Sequence, residues 1–399
     1  MQRQASRLSR RGMARGVTVS LAVGAASVAA LLIWGRDGDD VTRQLGWVDP
    51  WWLTLAGGLT LLAWQLRTWR SQLLARAMDV RVPAGRMFRY YLASVFVSHV
   101  TPTSTGGLPV FVYLLTREGL TFGQATAVAV VDSGLVVLWL LAAWPVVIAW
   151  RGLGAMAGST PALSLLMLLS LALMAAFVVG ILWRPRWLAV FFLMLRRRLA
   201  KRHEGRRGRW VQRALARIAR ESLRFAFAVR RLVIKRPWLL AGATLLTGVY
   251  WAVYLSIAWS VLIGLGARIA WAHAALAQLV FNLAQAFIPT PGGSGGAELL
   301  MAYLFRGTLP GGRLAAFVGA WRFFTFYASL AVGGAMFVRS LRGVLDERGT
   351  SFEGEPPGGP GLGRAGSGGR RSRVAAEPVP WIRSARRETR LERDAFRPG

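Results

Sequence analysis

Pro289-Thr290-Pro291-Gly292-Gly293-Ser294-Gly295-Gly296-Ala297-Glu298 interrupts an otherwise apolar segment, Trp271–Phe305, and this interruption decides how the chain is built. Proline lacks the helix donor and glycine disfavours a helix interior, so no continuous helix runs through it. A second apolar segment, Met87–Leu115, is broken the same way by Thr101-Pro102-Thr103-Ser104-Thr105-Gly106-Gly107-Leu108-Pro109. Irregular backbone at membrane depth is tolerated only where protein shields it or where it lines a wet cavity. Each segment is therefore expected to enter a bilayer and turn back.

Outward from these breaks the chain is a series of unbroken apolar stretches: Gly16–Trp34, Trp51–Leu66, Phe122–Trp150, Pro161–Trp183, Trp238–Gly266 and Leu314–Val338. Most are near the roughly 20 residues a spanning helix requires. At 54% hydrophobic with 18 Trp in 399 residues, the chain has more apolar surface than a soluble core of this size needs. The expected fold is an all-α integral membrane protein, a bundle of about six full spans plus two re-entrant Gly/Pro-broken hairpins.

The net charge of +32 would suggest nucleic-acid binding in a soluble protein. Its placement argues for a membrane surface instead. Arg3, Arg7, Arg10, Arg11 and Arg15 precede the first stretch, and residues 184–236 carry 18 Arg or Lys against Glu204 and Glu221. Retention of basic loops on the cytoplasmic side and attraction to anionic headgroups account for that pattern. With no cysteine, disulfides, thiolate chemistry and Cys-ligated zinc are excluded. The Arg-rich start followed by small residues such as Ala25, Ala26, Ala29 and Ala30 resembles a secretory signal, but its length favours an uncleaved first span.

Charge parity places the hairpins. With the N-terminus inside, the acidic loop 36–50 lies outside, and the loop 67–89, with six Arg and one Asp, lies inside. A full crossing by Met87–Leu115 would put the basic segment 184–236 outside, whereas a hairpin returning to the cytoplasm keeps it inside. The same reasoning brings Trp271–Phe305 in from the other face and leaves both termini cytoplasmic. Two broken hairpins entering from opposite faces is the layout of an inverted repeat. A weak internal similarity agrees: Asp132 follows Tyr113 by 19 residues, as Arg322 follows Tyr303.

Three segments follow: a basic N-terminus (1–16), a transmembrane domain (17–340) whose cytoplasmic loop spans 184–236, and a tail (341–399) rich in Gly, Pro, Arg and Glu that is expected to be disordered. Within the loop, 206–236 interleaves apolar residues with Arg209, Arg213, Arg217, Arg220 and Arg224, the pattern of an amphipathic helix on the inner leaflet.

Candidate ligand-binding residues gather at the breaks. Gly292, Gly293, Gly295 and Gly296, with Thr103, Gly106 and Gly107 of the first break, could offer backbone N–H groups and a positive helix end to an anionic headgroup; equally, the glycines could serve only a tight turn. Glu298 and Arg322 fall inside apolar segments, where an ionised group costs about 2.5–3.5 kcal/mol. They are expected either to face one cavity, Arg322 drawing a phosphate, or to form a structural ion pair. Asp132 is a candidate partner for Arg322 or for a cationic headgroup, or a helix-packing residue beside Ser133 and Gly134. His99 could relay protons or cap a helix end, and Asn282 and Gln285 could line the cavity or bond between helices. His203 and His273 receive no role. Neither H-E-x-x-H, nor G-x-S-x-G, nor a phosphate-binding G-x-x-x-x-G-K-[ST] sequence occurs. No cofactor, metal site, ATP hydrolysis or other enzymatic activity is expected.

At the two breaks the chain resembles the flippase-like transmembrane region of bacterial lysylphosphatidylglycerol synthases and their stand-alone relatives. The resemblance rests on Pro102–Gly107 with Tyr113-Leu-Leu-Thr-Arg117 and Gly119, and on Pro289–Glu298 with Trp321-Arg322, and covers about residues 15–340. It implies a helical bundle with two re-entrant elements that moves or presents phospholipid or polyprenyl-linked lipid. The chain departs from the family at Asp132-Ser133, where an acidic–Arg pair would be expected in the first repeat, so the resemblance does not carry a paired-arginine mechanism over to that side. The aminoacyl-transferase domain of the full synthases is missing after residue 340, so lysyl transfer is not expected.

The resulting expectation is a multi-pass protein of the inner (plasma) membrane that translocates or binds lipids, with an anionic or polyprenyl-linked headgroup held between the hairpins. The alternative is a non-transporting subunit that anchors or recruits a lipid-modifying enzyme, such as a glycosyltransferase, through its basic loop. The expected partners are membrane lipids, not nucleic acid.

Overall fold

Asp49 and Pro50 start the first helix of the computed structural model, which describes residues 49–101, 105–156, 172, 176, 206–285, 288 and 290–350. The Asp49 carboxylate accepts from the Trp51 N–H at 3.0 Å, and Pro50 fits the first helical position, where no donor is needed. Helix α1 then runs over Pro50–Arg76. It is followed by α2 (Ala84–Val100), α3 (Gly107–Thr116), α4 (Phe122–Met156), α5 (Arg206–Arg230), α6 (Pro237–Gly264), α7 (Trp271–Gln285), α8 (Gly296–Phe305), α9 (Gly311–Arg322) and α10 (Ala328–Thr350). π turns, Arg231–Lys235 and Phe323–Tyr327, precede α6 and join α9 to α10. The regular elements among the described residues are all helices, without strands. Residues 1–348 form one unit and 349–399 another, and α10 reaches Thr350. The expected spans Gly16–Trp34 and Pro161–Trp183, and nearly all of the tail, fall outside the described residues.

The element lengths repeat. Two long helices of 27 and 28 residues, α1 and α6, each begin Pro-Trp. Each is followed by a shorter helix, a break, a ten-residue helix (α3 or α8), five linking residues, and a long helical stretch (α4, or α9 continuing into α10). Ala56, Thr60 and Trp64 of α1 recur as Ala243, Thr247 and Trp251 of α6. Both threonines bond back one turn, Thr60 to the Ala56 carbonyl at 2.8 Å and Thr247 to the Ala243 carbonyl at 2.7 Å. The breaks also correspond, Thr101-Pro102 and Gly106-Gly107 matching Thr290-Pro291 and Gly295-Gly296.

The two long helices pack antiparallel along their length. Asp49 N–H reaches the Gly264 carbonyl at 3.0 Å at one end. At the other, Arg236 donates to the Arg76 carbonyl at 3.1 Å and pairs with Asp79, as does Arg231. Since α1 and α6 are equivalent members of the repeat, the two halves run in opposite directions. One apolar core joins α1 to α5 through Leu74, Met87, Leu115, Val128 and Val229. A second joins α6 to α9 through Ile257, Phe281, Met301, Phe317 and Trp321. The Phe281 and Trp321 rings meet edge to face at 5.0 Å.

Three helical stretches among the described residues are long and apolar enough to cross a membrane: Phe122–Leu140, Pro237–Gly264 and Gly312–Ser340. Helices α3 and α8 are about 15 Å long at 1.5 Å per residue, half a hydrocarbon core of about 30 Å. The basic stretch 67–89 is not a loop throughout, because α1 continues unbroken to Arg76 and carries Arg67 and Arg70 into the protein. Arg70 is fully buried.

Candidate functional site

Buried charges must be paired, and Arg70 is paired completely. It donates Nε to Asp132 Oδ1 at 2.8 Å and Nη2 to Asp132 Oδ2 at 2.6 Å, while Nη1 reaches Thr247 Oγ1 at 3.1 Å. Ser71 Oγ adds a bond to Asp132 Oδ1 at 3.1 Å. This forked geometry is the strong form of an Arg–carboxylate contact. It pins α1, α4 and α6 to one another. Asp132 thus has its arginine, supplied by α1 and not by Arg322 or by the residue that follows it. Arg70 was missed at the sequence level, and the available signal was helical continuity from the apolar Trp51–Leu66 stretch into 67–76, with Arg67 and Arg70 one turn apart.

Arg67 is held more loosely. Its Nη2 lies 3.5 Å from Asp132 Oδ2, and its guanidinium sits 5.4 Å and 5.3 Å from the ring centres of Tyr91 and Tyr250. Its Nε is buried without a hydrogen-bond partner among the described residues. Arg67 also lines two cavities. The larger, about 540 Å³, lies between α1, α2, α3 and α4 and is bordered by Ser71, Tyr91, Ser98, Gly107 and Asp132. The smaller, about 220 Å³, is bordered by Trp64, His99, Tyr250, Tyr254, Gln285 and Gly292.

The second broken segment is built differently. Gly292, Gly293 and Gly295 have φ of 61°, 69° and 88°, so the turn depends on glycine at these positions. A Cβ on Gly292 would lie 2.2 Å from the Phe326 ring. Glu298, on the first turn of α8, accepts the Gly295 N–H at 2.7 Å through Oε2 and Arg322 Nε at 2.8 Å through Oε1. Arg322 donates a further bond to the Gly292 carbonyl at 2.6 Å, and its guanidinium lies 4.2 Å from the Phe326 ring centre. Both charges are buried, at 0% and 3% side-chain exposure, and neither borders the two cavities. The anion on the N-terminal end of α8 is the chain's own carboxylate.

The end of α2, just before the first break, approaches the Gly292 turn, where the His99 ring lies tilted 4.6 Å from that of Phe326 and its Nδ1 is 3.3 Å from Ser329 Oγ. Of the other residues singled out, Asp132 and Gly107 border the larger cavity, and Gly292, His99 and Gln285 the smaller. Gly107 lies so close to α2 that a Cβ would sit 2.6 Å from the Ser94 carbonyl oxygen. Gly106 donates to Thr101 Oγ1 at 3.0 Å, and Asn282 bonds within its own helix to the Gln278 carbonyl at 2.7 Å. Gly293 donates to the Thr290 carbonyl at 3.0 Å, and Gly296 packs on Ile288. Thr103 and His203 lie outside the described residues.

A family model described as the lysylphosphatidylglycerol synthase TM region matches residues 17–333, across both breaks and the buried Arg70–Asp132 and Glu298–Arg322 pairs. The chain belongs to this family. A UPF0104 membrane protein of Archaeoglobus fulgidus is 26% identical over 321 residues, which cover 80% of this chain and 94% of that protein. Family membership and the apolar helices together make this a helical membrane protein.

Proposed function

We propose that this chain is a flippase-like lipid handler that binds a lipid headgroup at membrane depth or carries it across. The observation that carries the reading is the pair of cavities meeting at Arg67, the smaller of them bordered by His99 at the end of α2, just before the first break, and by Gly292 of the second break. In this reading α2–α3 and α7–α8 are re-entrant hairpins entering from opposite faces among about six full spans, as inverted repeats build sites at the bilayer midplane. The antiparallel α1–α6 pair and the half-length α3 and α8 support that topology. Both termini then face the cytoplasm across the plasma membrane. The substrate class is an anionic phospholipid or a polyprenyl-linked lipid.

Headgroup-resolved scrambling in proteoliposomes tests the reading. The intact protein should move anionic or polyprenyl-phosphate lipid faster than empty vesicles do. No acceleration and no binding of any such lipid by correctly folded protein would overturn it.

A second reading draws on α5 and the π turn that follows it. Phe225, Val229 and Leu232 pack inward on this side of the protein, while Ile218, Phe227, Val233 and Ile234 are exposed among Arg217, Arg220, Arg224 and Arg230. That mixed face suits the inner leaflet or a recruited lipid-modifying enzyme. Under recruitment, charge reversal at Arg217, Arg220 and Arg224 abolishes the partner's activity, and cavity substitutions leave it intact.

A further inference from the structure

Two guanidinium groups, Arg67 and Arg70, share one carboxylate, Asp132. Among the described residues, no other Asp or Glu borders either cavity. The Arg70–Asp132 pair neutralises itself through its two short bonds, so the positive charge of Arg67 is left over at a mostly buried position with a bare Nε. A largely buried cation in excess of the carboxylate it shares favours an added anion.

The repeat shows where that anion belongs. Glu298 is the third residue of α8, and it closes the N-terminal end of that helix while neutralising Arg322. The third residue of the equivalent helix α3 is Pro109, which cannot do either. In place of a carboxylate, the first turn of α3, through Gly107, Leu108 and Pro109, borders the 540 Å³ cavity that also contains Arg67. The positive end of α3 and the surplus cation therefore border the same space.

We propose that this cavity is a binding site for a phosphate group, held by Arg67 and the first turn of α3 in the role that Glu298 fills in the other half. The proposal rests on the lipid-handling reading and specifies its ligand. Phosphate matches the planar guanidinium fork. The apolar share of the lining, Val95, Leu108 and Phe111, suits the glycerol and first methylenes of a lipid better than a free ion. Tyr91 and Tyr250 keep Arg67 in place when the site is empty.

The test uses the full chain in detergent or nanodiscs, titrated with dihexanoyl phosphatidylglycerol, uncharged dihexanoylglycerol, glycerol 3-phosphate and inorganic phosphate, with tryptophan fluorescence or calorimetry as readout. Wild type should bind the short-chain phospholipid and prefer it to dihexanoylglycerol. Arg67→Gln should weaken that binding about tenfold or more, the scale of a lost charge-assisted hydrogen bond, without weakening dihexanoylglycerol. Pro109→Glu supplies the missing carboxylate from within and should abolish phospholipid binding while raising the melting temperature. This keeps the proposal exposed even if Arg67→Gln folds poorly.

Equal binding of the phospholipid by wild type, Arg67→Gln and Pro109→Glu would overturn the site while leaving lipid handling intact. Inorganic phosphate or glycerol 3-phosphate competing as strongly as the lipid would keep the anion site and overturn the lipid as its occupant. Failure of wild type both to bind and to scramble would sink the lipid-handling reading itself.

Discussion

The two halves of this protein bury an ion pair near the same helix position, but with opposite polarity and different partners. On α4 the position holds an acid, Asp132, which reaches α1 for Arg70 and borders a cavity. On α9 it holds a base, Arg322, which reaches α8 for Glu298 and borders none of the two cavities described. The second half is electrostatically closed, since Glu298 satisfies both the helix end and the guanidinium. The first half is open, with one more cation than it has anion. Duplicated architecture therefore need not mean duplicated function: one half fits a structural clasp and the other a binding site.

The comparison can be broken by substitution. The largest effect is expected at Asp132→Ala, which strands Arg70 and Arg67 in the interior and should cost about 3–5 kcal/mol. Thermal unfolding in detergent would register it, and the double change Asp132→Leu with Arg70→Met should lose less than the single one. An equal or greater loss in the double variant would show that the pair does more than neutralise itself.

Glu298→Gln comes next, at about 1.5–3 kcal/mol, because Arg322 keeps the Gly292 carbonyl and the Phe326 face. The same unfolding assay checks it. A loss as large as that of Asp132→Ala would mean that the second half is no more self-sufficient than the first.

Gly292→Ala should cost about 1–3 kcal/mol from its positive φ, with the Phe326 clash added. Combining it with Phe326→Leu should restore only the part due to the clash. Full recovery in the pair would show that the backbone conformation contributes nothing.

The smallest effect is predicted for Arg67→Gln. Removing the surplus charge, which only a 3.5 Å contact ties to Asp132, should leave stability within about 1 kcal/mol of wild type or raise it. A loss on the scale of Asp132→Ala would make Arg67 a structural member of the cluster and close the comparison from the other side.

The helical membrane class, both breaks and the amphipathic α5 were legible in the sequence, because each rests on local composition: apolar runs, Pro/Gly clusters and interleaved arginines. Glu298 and Arg322 stood out as charges within apolar segments, and the ion-pair reading of them matches their geometry. The arginine partner of Asp132 was not legible. Arg70 looked like one more basic residue of an inside loop, and its pairing spans 62 residues of sequence. The correspondence of Ala56, Thr60 and Trp64 with Ala243, Thr247 and Trp251 was present in the sequence but diluted by substitutions between them.

The sequence by itself determined that this chain is helical, apolar and twice interrupted, since hydropathy and the backbone limits of proline and glycine act locally. Only the tertiary structure decided which buried charge meets which. The energy of a buried ion depends on what lies within a few ångströms in space, and here the neighbours come from helices far apart in the chain. That is why the surplus cation at Arg67 becomes visible only once α1, α3 and α4 surround a common cavity.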